Sequence, residues 1–194
     1  MKFLEEIEGV DIYLLDQLMK GKIESSHRVL DAGCGKGRNL KPFIENEMDF
    51  IAFDPNVEYI NSLKFDHPDL SERFYVSSIE NFTDPFGFDI VVCNAVLHFA
   101  TDHNHFFDLF KQLDRLVNQG GMLFIRMTSN IGMEFTEPIE NGVFRLPDNS
   151  IRYLITRNQI DLLLKKYHYS LEEPLKTIIV DGLRCMTTLV FRKP

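Results

Sequence analysis

The sequence has no tryptophan, and its three cysteines, Cys34, Cys93 and Cys185, are far apart and form no C-x-x-C pair. That pattern suits neither a disulfide framework nor a zinc site, and it fits a reducing compartment. Cations are scarce: 21 Lys and Arg stand against 29 Asp and Glu, a net charge of −8. Such a chain repels polyphosphate unless a basic patch is segregated, so nucleic acid is a disfavoured partner. No apolar run approaches the length of a membrane helix, and the start, MKFLEEIEGVDIYLL, has acids where a signal peptide needs a basic region. The expected setting is soluble and cytoplasmic, with no membrane partner. No repeat or low-complexity tract appears, and 8 Pro and 11 Gly exclude a collagenous or disordered chain.

What is present is a 194-residue chain, 44% hydrophobic, that can bury a full core as one domain over residues 1–194. Residues 1–26 are expected to form an N-terminal helical cap, with Val10, Leu14, Leu15, Leu18 and Met19 on one helical face and Gly21 as the stop. Five apolar runs then alternate with helix-period segments: RVLDA (28–32), DFIAF (49–53), RFYVS (73–77), FDIVVC (88–93) and GMLFIRM (121–127). Continuous apolarity implies strands buried on both faces. Asn56 can cap a helix carrying Val57, Ile60 and Leu63; Thr101 or Asp102 can cap one carrying Phe106, Phe110, Leu113 and Val117. Pro42 falls in the helix expected after the first strand and is tolerated there only in the first turn.

Residues 128–155 break the pattern with Gly132, Gly142, Pro138 and Pro147 and read as an excursion over the ligand edge of the sheet. Thr156 and Gln159 make a capping box for a helix with Ile160, Leu163, Leu164 and Tyr167 inward. LKTIIV and RCMTTLVF, joined through Asp181-Gly182, read as an antiparallel hairpin. The expected fold is α/β: one Rossmann-like, doubly wound sheet of seven strands, mostly parallel, closed by that hairpin.

Chemistry concentrates in VLDAGCGKGRNL (29–40), where a strand runs into Gly33, Gly35 and Gly37. Glycines there remove the Cβ atoms that would block a ligand from the backbone. The next strand ends at Asp54, placed to accept both hydroxyls of a ribose. A dinucleotide fingerprint, G-x-G-x-x-G, is not met, because Arg38 stands where its third glycine belongs. Asp31, just before the loop, would repel a pyrophosphate and attract an ammonium or sulfonium.

With these features the sequence resembles the class I S-adenosylmethionine-dependent methyltransferases, in their first motif (29–37) and their ribose-binding acid, Asp54. The resemblance implies S-adenosylmethionine as cofactor, S-adenosylhomocysteine as product, and a cofactor site that also includes Cys34 and Pro55. SSIENF (77–82) is similar to the third-strand motif, which implies that Ser78 and Ile79 hold the adenine; the family commonly has Asp at position 78. FDIVVCNAVLHF (88–99) is similar to the fourth-strand motif, which puts Cys93 and Asn94 beside the methionine part. Asn118 to Gly121 match the turn before the fifth strand. CGKGRN (34–39) is most similar to small-molecule methyltransferases of the tellurite-resistance kind.

Methyl transfer needs alignment more than a base. If a base is used, His98 after the fourth strand is the candidate. His103 and His105 match no standard zinc spacing, and no metal is expected. An acceptor pocket should draw on Arg126, Thr128, Arg145, Arg152 and Tyr153, which could meet a carboxylate or other anion; the arginines could instead pair with acids such as Glu134 and Glu137. The leading reading is methyl transfer to a small molecule. A nicotinamide-dependent oxidoreductase and a non-catalytic S-adenosylmethionine-binding regulator are the alternatives.

Overall fold

The computed structural model describes residues 7–133 and 137–194. Helix α1 (Ile12–Met19) precedes β1 (Arg28–Ala32), α2 (Lys41–Glu45), β2 (Asp49–Asp54) and α3 (Val57–Asp66). After a 3-10 turn come β3 (Phe74–Val76) and β4 (Phe88–Asn94), then a second 3-10 turn (Leu97–Phe99), α4 (His103–Leu116) and β5 (Val117–Thr128). Three short strands follow, β6 (Glu137–Glu140), β7 (Val143–Arg145) and β8 (Ile151–Tyr153), then α5 (Arg157–Tyr167). The described chain closes with β9 (Ser170–Leu171), β10 (Lys176–Val180) and β11 (Arg184–Arg192).

The main sheet has the order β10-β11-β5-β4-β1-β2-β3, with β9 added on β11. Strands β1 to β5 pair with one another in parallel, and β11 pairs antiparallel with β5 and with β10. This is the expected seven-strand sheet. The order reverses between β1 and β4, so a crevice opens at their carboxyl ends, where ligands bind in folds of this kind.

The central strands are apolar on both faces because helices cover both, whereas β3 and β10 lie at the sheet edges and leave Tyr75, Val76 and Ile179 exposed, against the expectation of full burial for the 73–77 run. Leu30, Val91, Leu123 and Phe191 pack with Phe106, Phe110 and Leu113 of α4 and with Ile160 and Leu163 of α5. Val29, Phe50, Ile90, Val92 and Phe124 pack with Leu14 of α1, Phe43 of α2 and Ile60 and Leu63 of α3. Each fully buried large side chain contributes roughly 1.5–3 kcal/mol, so these two layers hold the strand ends in register.

Local details agree with the sequence and correct it. Asn56 caps α3 through Glu58 and Tyr59, Asp102 caps α4 through His105, and Thr156 with Gln159 forms the capping box of α5. Pro42 sits in the first turn of α2, a helix of only five residues. Asp181 and Gly182 have φ of 49° and 65° and make the tight turn between β10 and β11, closed by the Leu183 amide donating to Val180 O. Three further expectations fail. Met19 is 77% exposed, because α1 rests on Leu14 and Gln17 instead. Val117 leaves the helix to begin β5, pairing with Phe88. Asn118 to Gly121 therefore lie within β5, as extra residues bulged out between the Phe88–Val117 and Ile90–Met122 pairs.

Candidate active site

Two cavities open at the switch point. The larger, about 640 Å³, is bounded by Gly33, Cys34 and Gly35 of the loop, by Asp54 and Pro55 after β2, and by Asn94 to Val96 after β4. Beside it lies a smaller, apolar slot of about 170 Å³, lined by Phe53, Ile79, Leu109, Val96 and Phe99 with Ser78, Glu80 and His105 at its polar rim. The two share Gly33, Pro55, Val96 and Phe99. A flat aromatic group suits the slot, and the larger volume falls in the range of small-molecule sites.

The loop is held in one shape. The amides of Gly33 and Cys34 both donate to Phe53 O, at 2.8 and 2.9 Å. Gly35 N donates to Asp54 Oδ2 at 2.9 Å. Gly33 has φ of 80°, and a Cβ there would come within 2.5 Å of Val96 Cγ2; at Gly35 an added Cβ would meet nothing within 4 Å. Gly35 thus borders open space at the larger cavity.

Two buried polar side chains at the strand ends lack partners. Asp31, 1% exposed, has no partner for Oδ2, and Asn94, 7% exposed, has none for either amide atom. Burial pushes the Asp31 carboxyl up to about 7, against the pull of Arg38 and with the charge of Asp54 adding to the rise. Leaving such groups unsatisfied is expensive, and a ligand with an ammonium and a carboxylate supplies complementary charge and hydrogen bonds. Cys93, by contrast, is fully buried in the core, and burial raises its thiol far above the ordinary value.

A third cavity, about 270 Å³, abuts the larger one at Arg38 and Ala95. Arg126, Arg152, Arg184, Thr128 and His98 also line it, with Asp148 and Ser150 from the excursion. Ala95 takes φ of 63° at the end of β4 while its amide donates to Arg126 O at 2.7 Å. That turn leads into the 3-10 segment that carries His98, which is 7% exposed with Nδ1 unpartnered. Burial, with the positive charges of Arg152 and Arg184, pushes the His98 imidazole down to about 4.

A family model described as a methyltransferase domain matches residues 10–173. The chain belongs to this methyltransferase family. Ribosomal RNA small subunit methyltransferase G of Methylococcus capsulatus is 34% identical over 98 residues, 48% of each chain. The chain thus spans about half the length of the curated relative it matches. Among solved structures, the PH0226 protein of Pyrococcus horikoshii OT3 matches with a TM-score of 0.71 at 16% identity, over 94% of this chain and 89% of that one. The 1,6-didemethyltoxoflavin-N1-methyltransferase of Burkholderia thailandensis, solved with 1,6-didemethyltoxoflavin and S-adenosylhomocysteine, matches with a TM-score of 0.68 at 18% identity, over 97% and 78%. N-methyltransferase NodS of Bradyrhizobium japonicum WM9, solved with S-adenosylhomocysteine, matches with a TM-score of 0.69 at 14% identity, over 94% and 85%. At such identities these likenesses show the fold.

Within the methyltransferase domain, the structure brings Gly33, Cys34, Gly35, Asp54, Pro55, Ser78, Ile79 and Asn94 to the two neighbouring cavities. Gly37 is buried behind the loop, where a Cβ would meet Leu63 at 2.6 Å, so its role is packing. Arg126, Thr128 and His98 meet at the third cavity. Tyr153 does not: its ring stacks on Phe106 in the core and its hydroxyl bonds His103 and Gln159. Arg145 is exposed on β7 opposite Glu137 and does not line the cavity, and Glu134 lies outside the described residues. His105 accepts from Thr101 N at 3.2 Å, leaving Nε2 to donate to Glu80. Among the described residues no cluster of His, Cys, Asp or Glu could hold a metal, and no helix is long and apolar enough to cross a membrane.

Sequence reasoning misses Arg38 and Arg184 as pocket residues. It also misses Asp11, which caps α1 and pairs with Arg126 at 3.1 Å and Arg38 at 3.8 Å. An aspartate just ahead of a helix-period run is a cap signal, so Asp11 was findable as a cap. Its pairing across the fold was not.

Proposed function

We propose that this chain transfers the methyl group of S-adenosylmethionine to a small-molecule acceptor, leaving S-adenosylhomocysteine. The observation that carries the reading is the pair of unpartnered buried side chains, Asp31 and Asn94, at the strand ends where the glycine loop and Asp54 border a cavity. Asp54 would take the ribose hydroxyls, the slot beside Ile79 and Ser78 the adenine, and Asp31 with Asn94 the amino-acid part. When bound, S-adenosylmethionine supplies a methyl carbon that an acceptor lone pair attacks as the carbon–sulfur bond breaks, its electron pair staying on sulfur.

The protein's part is alignment in a water-poor pocket. His98, neutral and buried, is placed to receive a proton from the acceptor. The chain works as one domain over residues 1–194, with the helical cap before β1 and the 128–155 excursion on the acceptor side. A cytoplasmic setting and the small-molecule kind of acceptor, as in the tellurite-resistance-like reading of Cys34 to Asn39, belong to the same proposal. The arginines favour a small acceptor over a nucleic acid, because they converge on a cavity of about 270 Å³.

Calorimetric titration with S-adenosylhomocysteine and with NAD tests the donor. Tight binding of the first and none of the second is expected, and preference for NAD overturns the proposal. A metabolite-extract screen with methyl-labelled donor tests turnover. Persistent lack of label transfer despite tight donor binding favours the regulatory alternative.

A further inference from the structure

The third cavity holds more positive charge than its acids offset. Arg38 and Arg126 share Asp11. Arg152 and Arg184 have no carboxylate within salt-bridge distance among the described residues, although both feel the charge of Asp148. They come from different elements, β8 and β11, and meet only because β11 runs antiparallel to β5 in a register that sets Met186 against Thr128. Two guanidinium groups without a salt-bridged carboxylate at the rim of one concave space make an anion site, since their planar donors match carboxylate and phosphate oxygens.

The floor of this cavity points to a reacting group. His98 is more than nine-tenths buried, and its Nδ1 has no partner in the protein. Next to it, Phe99 packs edge-on to the imidazole, borders the two donor-side cavities and carries the Arg152 guanidinium 4.9 Å above its ring. Arg38 and Ala95 form the wall common to the arginine cavity and the donor cavity. An occupant therefore has one end among arginines and the other toward the donor, in a volume at the small end of metabolite sites.

We infer that the methyl acceptor is a small organic anion, its carboxylate or phosphate group held by Arg152 and Arg184 and its methyl-accepting atom turned toward the His98 side chain. This rests on the proposed donor site, which is tested separately in the same experiment. In the step, the acceptor lone pair forms the new bond to carbon, the carbon–sulfur pair stays on sulfur, and the acceptor's proton passes to the His98 imidazole. Thr128 and Ser150 also line the cavity, but their hydroxyls already donate to Tyr153 O and Asp148 Oδ1, so the guanidinium groups are the donors left for an anion.

The probes are inorganic phosphate, acetate and neutral acetamide, titrated by NMR onto protein first saturated with S-adenosylhomocysteine. Phosphate or acetate is expected to bind in competition with chloride, at least tenfold more tightly than acetamide, and which of the two binds better tells a phosphate from a carboxylate acceptor. Arg152→Gln and Arg184→Gln should each weaken anion binding at least fivefold with the S-adenosylhomocysteine affinity unchanged. Arg115→Gln, which removes the same charge from the exposed face of α4, should leave both unchanged. Equal binding of acetate and acetamide, or anion binding that survives both cavity variants, overturns the inference and leaves the donor reading intact. Failure of the protein to bind S-adenosylhomocysteine overturns the donor reading itself.

Discussion

The backbone amide of Gly35 donates a 2.9 Å hydrogen bond to Oδ2 of Asp54, joining the tip of the glycine loop to the end of β2. Asn56 N holds the other oxygen at 2.9 Å, so the carboxylate is oriented before any ligand arrives. Each oxygen keeps a lone pair for a ribose hydroxyl, and such preorganisation lowers the ordering cost of binding.

Asp54→Ala is accordingly expected to weaken S-adenosylhomocysteine binding at least tenfold by calorimetry. Tenfold is about 1.4 kcal/mol, and a hydrogen bond to a charged group contributes about 1.5–3 kcal/mol. An unchanged dissociation constant in a folded variant removes the ribose assignment.

Asp31 makes donor binding pH-dependent. Its carboxyl in the free protein is held up to about 7 by burial, so at pH 6 most of it is neutral and cannot face a cationic amino group as a charge. Affinity for S-adenosylhomocysteine should rise from pH 6 to pH 8 and level off above. Asp31→Asn should bind more weakly at pH 8 and lose the rise; a wild-type affinity that stays flat across this range dissociates Asp31 from the ligand's ammonium.

The same group and His98 tilt the stability of the free protein in opposite directions. Asp31 binds its proton more tightly folded than unfolded, so its contribution to stability falls as pH rises from about 4 to about 7. His98 binds its proton less tightly folded, so its contribution is present above about 6.5 and is lost as pH falls toward about 4. Each spans a few kcal/mol at most by linkage. In urea denaturation, Asp31→Asn should gain stability relative to wild type as pH goes from 4 to 7, and His98→Gln should lose it between 4 and 6.5. Parallel curves for wild type and both variants would show that neither group titrates in this way.

The order of elements was legible because each parallel strand needs an apolar run and each crossover a 3.6-residue period. The hairpin was legible because Asp181-Gly182 supplies two positive φ angles. The strands β6 to β8 were not, since they are short and mostly exposed and carry little hydrophobic pattern. In the site, the loop and Asp54 could be read because their spacing is local. Arg38 enters the sequence reading only as the residue that breaks a dinucleotide motif, and Arg184 only as a strand residue. Their meeting with Arg152 is a product of register between distant strands. Tyr153 reads as an excursion residue near the ligand, yet α4 offers Phe106 for its ring, and burial wins.

His98 also makes a kinetic prediction. With its imidazole neutral down to about 4, His98 should add no titration near pH 6.5 to kcat at saturating donor, where the Asp31 effect on donor binding no longer shows. His98→Ala should lower kcat by roughly 10²- to 10⁴-fold if the imidazole takes the acceptor's proton, the usual range for general-base catalysis. Donor affinity should not change, since His98 lines the arginine cavity and neither of the two donor-side cavities. An unaltered kcat would leave His98 a residue that shapes the turn after β4.

Glycine-to-alanine exchanges separate packing from ligand access. At Gly33 and Gly37 the added methyl would lie 2.5 Å from Val96 and 2.6 Å from Leu63, at φ of 80° and 79°. Both variants carry a left-handed backbone penalty of roughly 1–2 kcal/mol as well as a clash, so both should lower the midpoint of thermal unfolding clearly. Gly35→Ala carries only the backbone penalty, because its methyl would stand in open space at φ of 57°. It should stay folded with a smaller loss of stability and still bind S-adenosylhomocysteine markedly more weakly if, as proposed, the ligand approaches the loop through that open space. If Gly35→Ala binds like wild type while Gly33→Ala and Gly37→Ala unfold, the loop serves packing alone and the donor sits elsewhere.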